Sequence, residues 1–142
     1  RRARRHLLQP VAGAREMLQT LPLPKAVASS SRTEFLHGKM QRVDLFDLVA
    51  PHVYSADLVA HGKPAPDVFL YTSEKLDVAP ERCLVIEDSE NGVKAGLAAG
   101  MTVWGFLGGG HCFEGHGERL LQAGGHDVVD DFPALMRRFS RA

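Results

Sequence analysis

Apolar positions recur along the chain at two alternating spacings. Over residues 11–21, Val11, Ala14 and Leu18 share one helical stripe with Met17 and Leu21 beside them, and Pro22 and Pro24 end it. Residues 25–28 form a short apolar run, read as a buried strand that stops at Ser29-Ser30-Ser31. Residues 32–42 predict a helix with Phe35, Leu36 and Met40 on one face and Lys39 and Arg42 late, where cations suit the helix dipole. A helical turn is expected over 45–49 and a strand over 53–55. Pro64-Ala65-Pro66 then starts a helix over 67–76. Residues 83–86 predict the most apolar strand, and residues 91–99 a helix closing on Gly100 as its C′ glycine. A strand over 102–107 ends at Gly108-Gly109-Gly110, followed by helix 117–123, strand 127–129 and helix 132–139. Strands separated by helices of this length pair in parallel through crossovers, which predicts an α/β layered sheet.

Composition narrows the function classes. The 142 residues suit one domain spanning 1–142, with 44% hydrophobic and 24% charged residues, an ordinary globular balance. Seventeen basic and seventeen acidic residues cancel, which argues against a dedicated nucleic-acid or membrane-surface binder. No apolar run approaches the ~20 residues of a membrane span, and no signal peptide is visible. Cys83 and Cys112 make no disulfide framework, so a cytoplasmic setting is expected. The chain opens on Arg1 rather than Met, which suggests a piece of something longer or a processed chain. Arg1, Arg2, Arg4 and Arg5 form a charge run read as a solvated tail or a cut helix end.

Ligands of an open parallel sheet bind beyond the carboxyl ends of its strands, so those ends carry the candidate chemistry. One offers Ser29, Ser30 and Ser31, another a loop with Lys63, and a third Glu87, Asp88 and Ser89. Each has a plain alternative: the serines cap the next helix, Lys63 is a surface lysine, and the acids with Ser89 open a helix. Together they fit those alternatives less well, because all three lie at one rim. A carboxylate directly after the most apolar strand is costly unless it finds a partner. Mg²⁺, which takes one or two carboxylates and keeps its waters, would provide one for Glu87 and Asp88. Ser29, neighbouring backbone N–H groups and Lys63 would then bind a phosphate bridging to the metal.

Ala28-Ser29-Ser30-Ser31, Gly62-Lys63-Pro64-Ala65-Pro66-Asp67, Val85-Ile86-Glu87-Asp88-Ser89-Glu90-Asn91-Gly92, and then Ala95-Gly96 and Ala99-Gly100-Met101 resemble motifs II, III and IV of the haloacid dehalogenase-like hydrolase superfamily. The strongest likeness is to its β-phosphoglucomutase-like and sugar-phosphate phosphatase branch, over about residues 10–130. The resemblance implies a three-layer, Rossmann-like core with a mainly parallel sheet. It implies a Mg²⁺-dependent phosphohydrolase or phosphomutase of a small phosphorylated metabolite, working through an aspartyl-phosphate. Ser29 matches the hydroxyl that holds the phosphoryl group, Lys63 the lysine that neutralises phosphate and nucleophile, Asp88 the Mg²⁺ ligand, and Glu87 its neighbour on the metal or its waters. Ser30 and Asn91 complete the expected phosphate-binding set.

The family's motif I, Asp-x-Asp-Gly on the first strand, does not occur in the 142 residues, and neither does the cap domain inserted after it. Asp44 with Asp47, and Asp127 with Asp130 and Asp131, are the nearest carboxylate groupings; neither follows an apolar strand into a glycine turn, and Asp44 and Asp47, in a predicted helical stretch, read as solvated acids. Residues 7–13 resemble the return from cap to core. In the family that first strand lies between those of motifs II and IV, so a chain lacking it is expected to have two central edges unpaired, and as a free fragment to be poorly stable, re-paired or dimerised. The competing function class is a non-catalytic module, a truncated isoform or pseudoenzyme that keeps the phosphate and metal pocket. Elsewhere, residues 105–111 suggest a flexible loop at the site rim rather than a dinucleotide loop, and the family resemblance implies that this loop lies near the substrate entrance, with His111 in reach of substrate. His111, Cys112, His116 and His126 fit no closed zinc site by spacing. Cys83 and Trp104 read as core.

Overall fold

The structure is a computed structural model that describes residues 14–43, 45–108 and 114–140. Its helices are α1 (Ala14–Thr20), α2 (Thr33–Arg42), α3 (Phe46–Val49), α4 (Asp67–Leu76), α5 (Glu90–Ala98), α6 (His116–Gln122) and α7 (Phe132–Ser140). Its strands are β1 (Val27–Ser29), β2 (Val53–Ser55), β3 (Leu84–Glu87), β4 (Thr102–Phe106) and β5 (Asp127–Val129). Single 3₁₀ turns stand at Ala56–Leu58 and Pro80–Arg82. None of the described helices is long and apolar enough to cross a membrane.

All strand pairs are parallel, in two pieces ordered β1-β2 and β3-β4-β5. Among the described residues β1 bonds only β2 and β3 bonds only β4, so one edge of each is left without a strand partner. Val27 lies opposite Val53, Val85 opposite Val103, and Phe106 opposite Val129.

Alternation along the strands puts helices on both faces, giving three layers. On β4, Val103 and Gly105 turn towards α5 and α6: a Cβ on Gly96 would lie 2.6 Å from Val103, and one on Gly105 would lie 2.7 Å from Leu120. Trp104 and Phe106 turn the other way, against Phe139 and Phe132 of α7, with ring centroids 6.2 and 4.4 Å apart. One apolar cluster joins Val68 and Phe69 of α4 with Val85, Val93, Val103 and Leu120; Ala28 of β1 packs on its edge. The other joins Ala14, Leu36, Met40, Leu45, Val49 and Val53, with Val27 and Phe132 at its margin.

Elements expected over 53–55, 67–76 and 127–129 have those bounds, and the rest end within a few residues of expectation. Gly100, at φ 81°, is the C′ glycine: Met101 N–H reaches the Gly96 carbonyl at 3.1 Å and closes the end of α5. Two core expectations need correction. Trp104 is half-buried, stacked on Phe139 near the end of α7 with the Arg138 guanidinium 4.2 Å above its ring, whereas Phe106 on the same face is buried. Cys83 borders the core half-buried, its Sγ towards the Ala79 carbonyl at 3.5 Å, and burial, aided by Glu81, pushes its pKa up. The arginine run, residues 7–13, Asp44, His111 and Cys112 lie outside the described residues.

Candidate phosphate-binding site

Lys63 joins the two sheet pieces. It stands in the turn before α4, ahead of a cis peptide bond to Pro64, and its ammonium donates to the Ala28 carbonyl of β1 at 3.2 Å and to Glu87 Oε2 of β3 at 2.5 Å. Its Nζ also lies 4.9 Å from the centre of the Phe69 ring. The two charged side chains are 8% and 10% exposed, so this is a largely desolvated ion pair. The turn is braced by Ala65 N–H on the Gly62 carbonyl at 3.0 Å and by Asp67, which accepts from the His61 N–H at 3.2 Å.

Glu87 is held from a second side. Ser89 is the N-cap of α5: its hydroxyl accepts from Gly92 N–H at 3.0 Å and donates to Glu87 Oε1 at 3.2 Å. Gly92 is required here, because a Cβ would lie 2.0 Å from the Glu87 carboxyl carbon. The glycine lets the first turn of α5 close over the carboxylate. Asp88 follows Glu87 at the C-terminal end of β3, and its backbone carbonyl accepts from His116 Nε2 at 2.6 Å.

Next to this pair an open cleft of about 430 Å³ is lined by Ser30, Lys63, Ser89, Glu90, Asn91 and Lys94. Three of the expected phosphate-binding residues, Ser30, Lys63 and Asn91, therefore share one cavity. Ser29 is not among the lining residues: its hydroxyl accepts from Ser31 N–H at 3.0 Å in the turn out of β1. The serines do not cap α2. That end is served from 24 residues away by Asp57, which accepts from Thr33 N–H at 2.7 Å and Thr33 Oγ1 at 2.5 Å. These bonds, the Thr33 hydroxyl first, lower the Asp57 pKa. Lys94 was not foreseen: one turn beyond Glu90 and Asn91 on α5, it brings a second cation to the cleft and makes no ion pair among the described residues.

Within the chain, Glu87 also has protein partners. The carboxylate obliged to find compensation finds it in Lys63 and Ser89 within the chain. No group of three His, Cys, Asp or Glu residues that could hold a metal occurs among the described residues. Glu87 and Asp88 are adjacent hard oxygen donors at a strand end, which fits Mg²⁺ as a part-site, since that ion needs only one or two protein carboxylates. His116 is engaged by Asp88, while His126 Nδ1 accepts from Val103 N–H at 3.0 Å, so the two rings serve separate backbone groups.

The chain matches the haloacid dehalogenase-like hydrolase family over residues 2–100. It belongs to that family. It is 33% identical over 127 residues to a phosphorylated carbohydrates phosphatase of Thermotoga maritima, covering 87% of this chain and 56% of that enzyme. It is 38% identical over 81 residues to a fructose-1-phosphate phosphatase of Escherichia coli K12, covering 55% of this chain and 41% of that one. A crystal structure of a haloacid dehalogenase family hydrolase from Deinococcus radiodurans with bound phosphate and sodium superposes with TM-score 0.88 at 35% identity, covering 95% of this chain and 62% of that chain. The chain thus spans less than two thirds of each of these relatives. The haloacid dehalogenase-like fold accounts for the parallel α/β core and the three strand ends meeting at one rim.

Proposed function

We propose that this chain forms the phosphate- and metal-binding part of a Mg²⁺-dependent phosphohydrolase or phosphomutase acting on a small phosphorylated metabolite. The observation that carries the reading is the Lys63 ammonium, fixed between the Ala28 carbonyl and Glu87 at the wall of a cleft that also holds Ser30, Asn91 and Lys94. Phosphoryl transfer depends mainly on positioning and charge stabilisation, and this wall offers both. Lys63 neutralises charge on the phosphoryl oxygens without needing to reorganise, since its three partners already fix it. Ser30 and Asn91 supply neutral donors, and Lys94 attracts the anion at the mouth. Ser29 orders the turn that presents Ser30. Asp88, with Glu87, would hold Mg²⁺, which supplies further charge neutralisation at the phosphate. Phosphatase relatives and a phosphate-bound neighbour support the reading.

An aspartyl-phosphate route needs a nucleophile, and the proposal places it outside these 142 residues, which contain no Asp-x-Asp-Gly. The second reading is a module that binds phosphate without turnover. The test measures Mg²⁺-dependent hydrolysis of sugar phosphates by the natural protein in its full length and by Asp88→Asn, with inorganic phosphate binding to both. The enzyme reading expects hydrolysis that falls by at least ~100-fold in the variant, as for loss of one charge-stabilising group. Binding without hydrolysis establishes the module, and absence of both overturns the site.

A further inference from the structure

The loop that carries Glu87 and Asp88 is tethered from a third direction. Lys63 reaches it from the turn before α4, and Ser89 ties it to the first turn of α5. His116, the first residue of α6, comes from 28 residues further along the chain and places Nε2 2.6 Å from the Asp88 carbonyl oxygen. A carbonyl oxygen only accepts, so Nε2 carries the hydrogen. The bond fixes the plane of the Asp88–Ser89 peptide. That peptide has the expected metal-binding carboxylate on one side and the cap hydroxyl of α5 on the other. Rotation about it would swing the Asp88 side chain and loosen the cap together. The other two tethers act on side-chain atoms of Glu87 and Ser89, whereas His116 acts on the backbone of Asp88.

We infer that His116 is a positioning residue: through the Asp88 carbonyl it aims the Asp88 carboxylate, so that α6 sets the affinity of the loop for Mg²⁺ while leaving the Lys63 side of the cleft unchanged. The inference rests on the metal reading above. Groups that orient metal ligands without touching the ion commonly change its affinity by ~10- to 100-fold.

The experiment is calorimetric titration of the natural protein in its full length with Mg²⁺ alone and, separately, with inorganic phosphate alone, for the natural sequence, His116→Ala and His116→Gln. Glutamine carries an amide N–H donor on a side chain of comparable length. His116→Ala is expected to weaken Mg²⁺ binding by about 10-fold or more, to hold phosphate affinity within about twofold, and to be largely rescued by His116→Gln. Unchanged Mg²⁺ affinity in His116→Ala overturns the inference. So does a parallel loss of Mg²⁺ and phosphate binding that glutamine does not rescue, since that marks a general structural role. Failure of the natural sequence to bind Mg²⁺ overturns the metal reading itself, a result visible before any variant is made. If the alanine variant does not fold, ¹⁵N shifts of His116 in the natural chain decide: an Nε2 without hydrogen overturns the inference, and a hydrogen there with the glutamine variant binding normally upholds it.

Discussion

In the β3-β4-β5 piece the fully buried strand side chain is Val103, enclosed with Val93 and Leu120; in the β1-β2 piece it is Ser55. The valine is held by dispersion and exclusion of water, through helices that glycines 96 and 105 allow to approach. The serine is held by hydrogen bonds: its hydroxyl donates to the Ser31 carbonyl and accepts from Asp57 N–H at 3.0 Å. Asp57 in turn caps α2. Both pieces bury apolar side chains, but the β1-β2 piece adds a chain of directed polar bonds at its carboxyl end. Directed bonds place the turn carrying Ser30 more tightly than three-residue strands could through packing. Lys63 joins the two regimes, since its ammonium bonds a backbone carbonyl of one piece and a buried carboxylate of the other.

The strongest way to break this arrangement is to cut that junction. Lys63→Ala leaves Glu87 buried without its cation and is expected to cost about 3–5 kcal/mol, as for other halved buried ion pairs. Chemical denaturation measures it, and Lys63→Met with Glu87→Gln should recover part of the loss. Gly92→Ala drives a methyl into the Glu87 carboxylate and should cost about 1–3 kcal/mol despite the better helix propensity of alanine. Phosphate binding should weaken with it, because displacement of Glu87 displaces Lys63.

Ser55→Ala probes the polar side. It strands the Ser31 carbonyl and is expected to cost about 1–2 kcal/mol, against little for a serine-to-alanine change at an exposed site. The smallest effect is one of pH. The Asp57 carboxyl is lowered below its ordinary 3.8 by its bonds to Thr33, so it contributes stability above that value which is lost as pH falls through the lowered one. Denaturation midpoints followed from pH 6 downwards should show Asp57→Asn less stable than the natural chain at the upper end, with the gap closing in acid.

Periodicity gave most of the α/β order, because strands such as Leu84–Glu87 begin with a continuous apolar run and helices such as Asp67–Leu76 follow a proline start signal and bury Val68 and Phe69. Ser89 was readable as a cap for the same reason, being local to the helix it opens. Most of the missed contacts join distant partners: Asp57 and Thr33 are 24 residues apart, and His116 and Asp88 28, while the meeting of Lys63 with Glu87 at one rim was expected and only their direct bond was not. No spacing rule announces such pairs. The need of Glu87 for a counter-charge was legible, but its immediate satisfaction by Lys63 was not, since a strand end can be reached by a neighbouring loop as well as by an ion. Lys94 escaped notice because its role depends on which face of α5 borders the cleft.

The enclosure of Lys63 has a consequence for its chemistry as an amine. With 8% of its side chain exposed and its ammonium engaged on three sides, it should acylate far more slowly than surface lysines such as Lys94. Its labelling rate would then act as a clock for how often the two halves of the sheet part company.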